Sequence, residues 1–162
     1  MRRDLIDHEI AQFNKAISEL PYNKAAEKPS MTLIVVNKRI SQRFFVDDGN
    51  NVFNPPSGCI IDTDIVQESH DEKTYDFFLI PQETTQGCVL PTHFFVAYDS
   101  SVVNRSAIKN LTYTLCYSYQ NWCGAIKVPA PCMYAHKIAE LFMKLGAGGE
   151  LKDTYGEFDM MD

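Results

Sequence analysis

The sequence predicts an α/β architecture, and three observations carry that prediction. Apolar residues recur at helical spacing from Ile6 to Leu20, a β-branched run follows at Thr32-Leu33-Ile34-Val35-Val36, and two more amphipathic helical patterns close the ordered part of the chain. Helix followed by buried strand is the layering of an α/β fold. With 162 residues, 45% of them hydrophobic and 22% charged, the chain fits one domain with a single core.

In the first helix, Ile6, Ile10, Phe13, Ile17 and Leu20 form the apolar stripe, with Asp7, Glu9, Lys15 and Glu19 off it, and Pro21 ends it. Residues 23–30 read as a polar connection into the Thr32–Val36 strand, which has the character of a buried strand. Lys38-Arg39-Ile40-Ser41-Gln42-Arg43 then places basic residues at the strand's end, before a turn-rich surface excursion from Asp47 to Gly58. Cys59–Val66, Tyr75–Ile80 and Thr92–Tyr98 read as further strands, the first two separated by the charged loop Gln67–Thr74. One closing helix carries Ile108, Leu111, Leu115 and Tyr119 behind an Asn104 cap; the other carries Tyr134, Ile138, Leu141, Phe142 and Leu145 and is stopped by the glycines at 146, 148 and 149. The domain is expected to span residues 1–146, with 147–162 an acidic, poorly ordered tail.

Composition narrows the function. Ten Phe, eight Tyr and one Trp supply enough apolar surface to offset ordering entropy, and no run reaches the roughly 18 to 20 apolar residues of a membrane span. The N-terminus lacks the apolar core of a signal peptide, so the expected location is intracellular, cytoplasm or nucleus. Five scattered cysteines without a CxxC pair indicate neither a disulfide framework nor a zinc knuckle. Asn104-Arg105-Ser106 and Asn110-Leu111-Thr112 match the glycosylation sequon but fall on or beside a predicted helix. A net charge of −6 taken alone argues against nucleic-acid binding. Much of it lies in the tail, where Glu150, Asp153, Glu157, Asp159 and Asp162 face only Lys152, which leaves room for a local basic groove.

Candidate chemistry centres on His136. On a helix advancing about 100° per residue it lies opposite the stripe of Tyr134, Ile138, Leu141 and Leu145, near a start set by Pro129 and Pro131, and suits an acid/base group or metal ligand. An exposed histidine without a role is the simpler reading of the pattern alone. Lys38, Arg39, Arg43 and Lys127 are candidate phosphate contacts, against the alternative of solvated loop charges. Cys132 and His136, spaced i, i+4, could share zinc with Cys116 or Cys123, although zinc sites favour closer, paired ligands. Trp122 and Tyr119 could stack on bases but are more simply core aromatics; His93 reads as a hydrogen-bonded core histidine. Asp62 and Asp64 alternate onto one strand face as a weak metal-carboxylate pair.

The stretch "LTYTLCYSYQNWCGAIKVPAPCMYAHKIA", from Leu111 through His136 and just beyond, resembles the terminal block of the Piwi domain in the Argonaute/Piwi family, nearer its Piwi branch. "LIDHEI", "LIVVNKRISQRFF", "NPPSGCIIDTDIV" and "YDFFLIPQETTQGCVLPTHFFVAYD" agree in order and spacing, so the resemblance runs from about Leu5 to about Leu145. It implies an RNase H-like fold of which this chain is the C-terminal part, a piece of mixed sheet with flanking helices. It also implies a guide RNA and a complementary target RNA as partners, and slicing in active members by three acidic residues and a histidine with Mg2+ or Mn2+. His136 matches that histidine by position, and Lys38, Arg39, Arg43 and Lys127 match the phosphate-facing side. The acidic partners are expected upstream of "LIDHEI", so this chain alone is expected neither to hold the metal pair nor to cut RNA. Its "YGEFDMMD" ending departs from the short hydrophobic end of the family, and its acidity puts binding of a guide's 5′ phosphate in doubt.

Three readings of function follow. The first is an RNA-binding part of a Piwi-type protein in small-RNA-guided silencing, whose partners include the N-terminal half of the Piwi domain and a Mid domain, with no membrane. The second is a non-catalytic protein-interaction or decoy module derived from a truncated Piwi paralogue, whose half-sheet exposes an edge. The third is a small zinc-dependent enzyme using Cys132 and His136.

Overall fold

The structure, a computed structural model, describes residues 3–20, 29–63, 65–66 and 74–146. In chain order the elements are α1 (Arg3–Glu19), β1 (Thr32–Asn37), β2 (Val46–Asp47), β3 (Val52–Phe53), β4 (Cys59–Ile61), β5 (Tyr75–Ile80), β6 (Thr92–Asp99), α2 (Arg105–Cys116) and α3 (Ala130–Gly146). The acidic tail and Asp64 lie outside the described residues.

Four strands form a sheet in the order β1-β6-β5-β4, and every pairing in this part of it is antiparallel. β5 is buried along nearly its whole length because both of its faces are apolar apart from Asp76, whereas β6 alternates between buried and half-buried residues along most of its length. Phe77, Phe94, Leu79, Val96 and Tyr75 present one face of the sheet to Cys116 and Tyr113 of α2. Phe77 and Phe94 stack with ring centroids 5.1 Å apart, and burying each such ring contributes about 1.5–3 kcal/mol.

Four elements differ from expectation. β1 is half-buried rather than buried, because it pairs only with β6 and forms an edge among the described residues. The first strand after the excursion stops at Ile61 instead of reaching Val66, so Asp62 stands outside it, ion-paired with Lys109 of α2. Within the excursion, Val46 and Asp47 pair with Phe53 and Val52 as a small hairpin. Its turn is closed by the Asp48 carboxylate, which accepts from the backbone N–H of Asn50 and Asn51, and by Gly49 at φ 86°. Those bonds hold the Asp48 carboxyl below its ordinary pKa.

The helices form where expected, and Ile6 of α1 and Ile108 of α2 are buried as expected, but α2 and α3 do not turn the whole of their expected faces inward. Asn104 caps α2, its side chain accepting from the Ser106 N–H at 2.6 Å. α2 buries Ile108, Thr112 and Cys116, while Leu111 is exposed and Tyr119 lies beyond the helix end. Burying Thr112 is tolerable because its hydroxyl donates to the Ile108 carbonyl at 2.8 Å. On α3, Ala130 and Met133 pack against Tyr119 and Ile126, whereas Tyr134, Ile138, Leu141 and Phe142 face outward, Phe142 at 68% exposure. The apolar stripe of α3 is therefore its outer side.

Candidate nucleic-acid interface

The turned α3 gives His136 its setting. Pro129 begins the first turn by accepting at its carbonyl from the N–H groups of Cys132 and Met133, at 2.9 and 3.2 Å. From there Cys132, Met133 and His136 look toward the side chains of Ile34, Val36 and Lys38 at the end of β1, enclosing a cleft of 410 Å³. Its floor is apolar; Lys38, Cys132 and His136 supply its polar groups.

Lys127 approaches from the segment before α3. Burial pushes the Lys127 ammonium below its ordinary pKa, and the charges of Arg43 and then Lys38 push it further the same way. Three of the four candidate cations are thus gathered in one neighbourhood, and Lys38 belongs both to it and to the cleft of His136. Arg39 is exposed on the same loop; among the described residues nothing draws it into the cluster. Arg43 donates from Nη1 to the carbonyls of Ile40 and Gln42, at 3.1 and 2.7 Å, which curls the loop onto itself and leaves further guanidinium donors outward.

The other candidates are not brought here. Trp122 is 61% exposed and Tyr119 is core, so the two aromatics do not form a joint stacking platform. Cys116 is buried, with its thiol pushed up to about 12 by burial and by Cys132, and it donates to the Thr112 carbonyl. Burial also raises the Cys132 thiol, with Lys38 opposing. Among the described residues no three His, Cys, Asp or Glu side chains gather in a way that could hold a metal ion. For Mg2+ or Mn2+ the cleft's donors do not fit: one imidazole and one protonated thiol beside a lysine offer none of the carboxylate oxygens that hard cations require.

Sequence reasoning missed what holds the cations in place. Thr92, wholly buried, donates from Oγ1 to the Lys127 carbonyl at 2.8 Å. His93, half-buried, sits between Asp76 (Nε2 to Oδ2, 2.8 Å) and Asn37 (Nδ1 to Nδ2, 3.2 Å). A polar Thr-His pair opening a strand that continues Phe-Phe-Val-Ala-Tyr was the available signal.

Residues 2–145 match the profile of the Piwi domain. The chain is 42% identical over 139 residues to Piwi-like protein 1 of Gallus gallus, an alignment that covers 85% of this chain and 15% of that protein. Among solved structures, the crystal structure of Drosophila Piwi superposes with a TM-score of 0.72 at 34% identity, over 86% of this chain and 18% of that one. The Kluyveromyces polysporus Argonaute solved with a guide RNA superposes at 0.63 and 24% identity, over 77% of this chain and 16% of that one, a likeness of fold. The chain thus spans a small part of the length of the relatives it matches.

Proposed function

Because this chain belongs to the Piwi domain family, we propose that it supplies a phosphate-holding face to a protein acting in small-RNA-guided silencing. In this reading Lys38, Arg39, Arg43 and Lys127 follow the backbone of a single-stranded guide RNA, which then pairs with a complementary target RNA. The observation that carries it is that Lys38 lines the cleft of His136 together with Val128, the residue next to Lys127, and that the charges of Arg43 and Lys38 both act on Lys127. Like charges held together at their own expense are relieved when a polyanion binds. The rest of a Piwi domain and a Mid domain are the proposed protein partners.

The test is binding of the chain to single-stranded RNA across a salt series. Binding is expected to be weak and salt-sensitive, and the combined Lys38→Ala, Arg39→Ala and Arg43→Ala variant is expected to bind less tightly with a shallower salt dependence, by about 0.7 in log–log slope per lost phosphate contact. Equal binding by that variant overturns the reading. His136 is proposed as the catalytic histidine of a complete Piwi domain only. With no carboxylate among the described residues that line its cleft, the chain alone is expected to give no RNA cleavage in Mg2+ or Mn2+. Cleavage that disappears in His136→Ala would place the acidic ligands within this chain, with Asp62 and Asp64 the first to examine.

A second reading, a protein-interaction or decoy module, is favoured by the outward apolar stripe of α3 and by the edge position of β1.

A further inference from the structure

The loop that carries Lys38, Arg39 and Arg43 has no regular hydrogen-bonded structure of its own, yet one of its ends meets His93 directly and the other meets Phe78, which packs on His93. Asn37 immediately precedes Lys38, and its amide meets His93 Nδ1 at 3.2 Å. Phe44 immediately follows Arg43, and its ring packs edge-on against Phe78, 5.2 Å between centroids, while Phe78 lies 4.7 Å from the His93 ring. The far side of His93 is fixed by Asp76, whose carboxylate lies 2.8 Å from Nε2. A carboxylate only accepts, so Nε2 carries the proton and Nδ1 of the neutral ring is left as an acceptor for the Asn37 amide. One residue earlier, the Thr92 hydroxyl holds the Lys127 carbonyl at 2.8 Å. Two successive residues at the start of β6 therefore tie down the basic loop at both ends and the segment that bears Lys127.

We propose that His93, with Thr92 beside it, is a positioning residue for RNA binding: through Asn37 and Phe78 it sets the basic loop in register with Lys127, so that the cations meet successive phosphates together. This rests on the reading of that face as an RNA surface. His93 touches no RNA in this scheme. Asp76 orients His93, His93 orients Asn37, and Asn37 orients Lys38. The Asp76–His93 pair is shielded, with the two side chains 10% and 20% exposed, which keeps its hydrogen bond from being exchanged for water. Asn37 is exposed, so the link it makes to the loop is the part that can be cut without disturbing the core.

The experiment compares Asn37→Ala, His93→Phe and the combined Lys38→Ala, Arg39→Ala, Arg43→Ala variant in their binding to a single-stranded oligouridylate over a salt series, with folding checked by circular dichroism. His93→Phe keeps a ring against Phe78 and removes both polar contacts, but it strands Asp76 and can fail to fold; Asn37→Ala leaves the Asp76–His93 pair whole and decides the matter if it does. Folded Asn37→Ala is expected to bind about threefold to tenfold more weakly, the range of one hydrogen bond's net worth. Its salt slope is expected to be shallower, because fewer phosphates are engaged at once. Added to the triple loop variant, Asn37→Ala is expected to change nothing further. A merely structural role would lower stability and leave the salt slope of the folded protein alone. Parental affinity and slope in folded Asn37→Ala, with the triple variant weakened, overturn the positioning role and leave the RNA face standing. Parental binding by the triple variant overturns both.

Discussion

At Cys116 the cost of ionising a buried group becomes a pH dependence. Burial, reinforced by Cys132, pushes this thiol from 9.0 to about 12, so the unfolded chain gives up the proton first as pH rises. The stability it contributes is fully present below about pH 9 and is lost progressively between pH 9 and 12. Thermal unfolding of Cys116→Ala across that window is expected to decline less steeply than that of the parent. Tyr75, also raised by burial, accounts for part of what decline remains. If the two chains fall in parallel, Cys116 is not the group that titrates. The same scale shows where sequence reading reached and where it stopped. His136 stood out because a helical phase and a recognisable motif both mark it. His93 was legible only as a hydrogen-bonded core histidine, which it is; its partners lie 17 and 56 residues away and only the sheet brings them together.

The elements were legible in proportion to how local their causes are. The Asn104 cap and the start of α2 are set by an Asx side chain reaching two residues ahead, and the structure has that bond. Asn104→Ala is expected to cost about 1 kcal/mol in urea denaturation, and a loss near zero would mean that the cap is replaced by water. Helical periodicity located α1, α2 and α3 but could not say which side of α2 and α3 meets the sheet. In α2 a threonine and a cysteine took the inward positions because each has a carbonyl four residues back to accept its proton. In α3 the docking was decided by a short contact at Ala130 and Met133, and the longer apolar stripe was left outside. The strand expected to reach Val66 stops at Ile61, opposite Phe78, although β5 runs on to Tyr75; Asp62 instead turns to an ion pair with Lys109 of α2. Strand length depends on the neighbour as much as on the residues themselves.

At the scale of the whole molecule, two features leave apolar surface or unpaired backbone facing outward. The stripe of Tyr134, Ile138, Leu141 and Phe142 is one, and β1, with β6 as its sole strand neighbour among the described residues, is the other. The chain on its own is therefore expected to self-associate with rising concentration in size-exclusion chromatography with light scattering. Phe142→Ser is expected to reduce that association while changing unfolding free energy by less than about 0.5 kcal/mol, as is usual for an exposed position. A chain that stays monomeric at every concentration would remove the interaction reading's support.

The sheet order carries one more consequence, and it concerns synthesis. β4, β5 and β6 are consecutive in the chain and adjacent in the sheet, so they can pair as they emerge. β1 emerges before them, yet its partner is β6, with Thr32 bonded to Asp99 across 67 residues. At about 5–20 residues per second, the Leu-Ile-Val-Val run of β1 waits several seconds for β6, its sole strand partner among the described residues. Among the described strands, the one that ends at the basic loop therefore has the longest wait for its partner during translation.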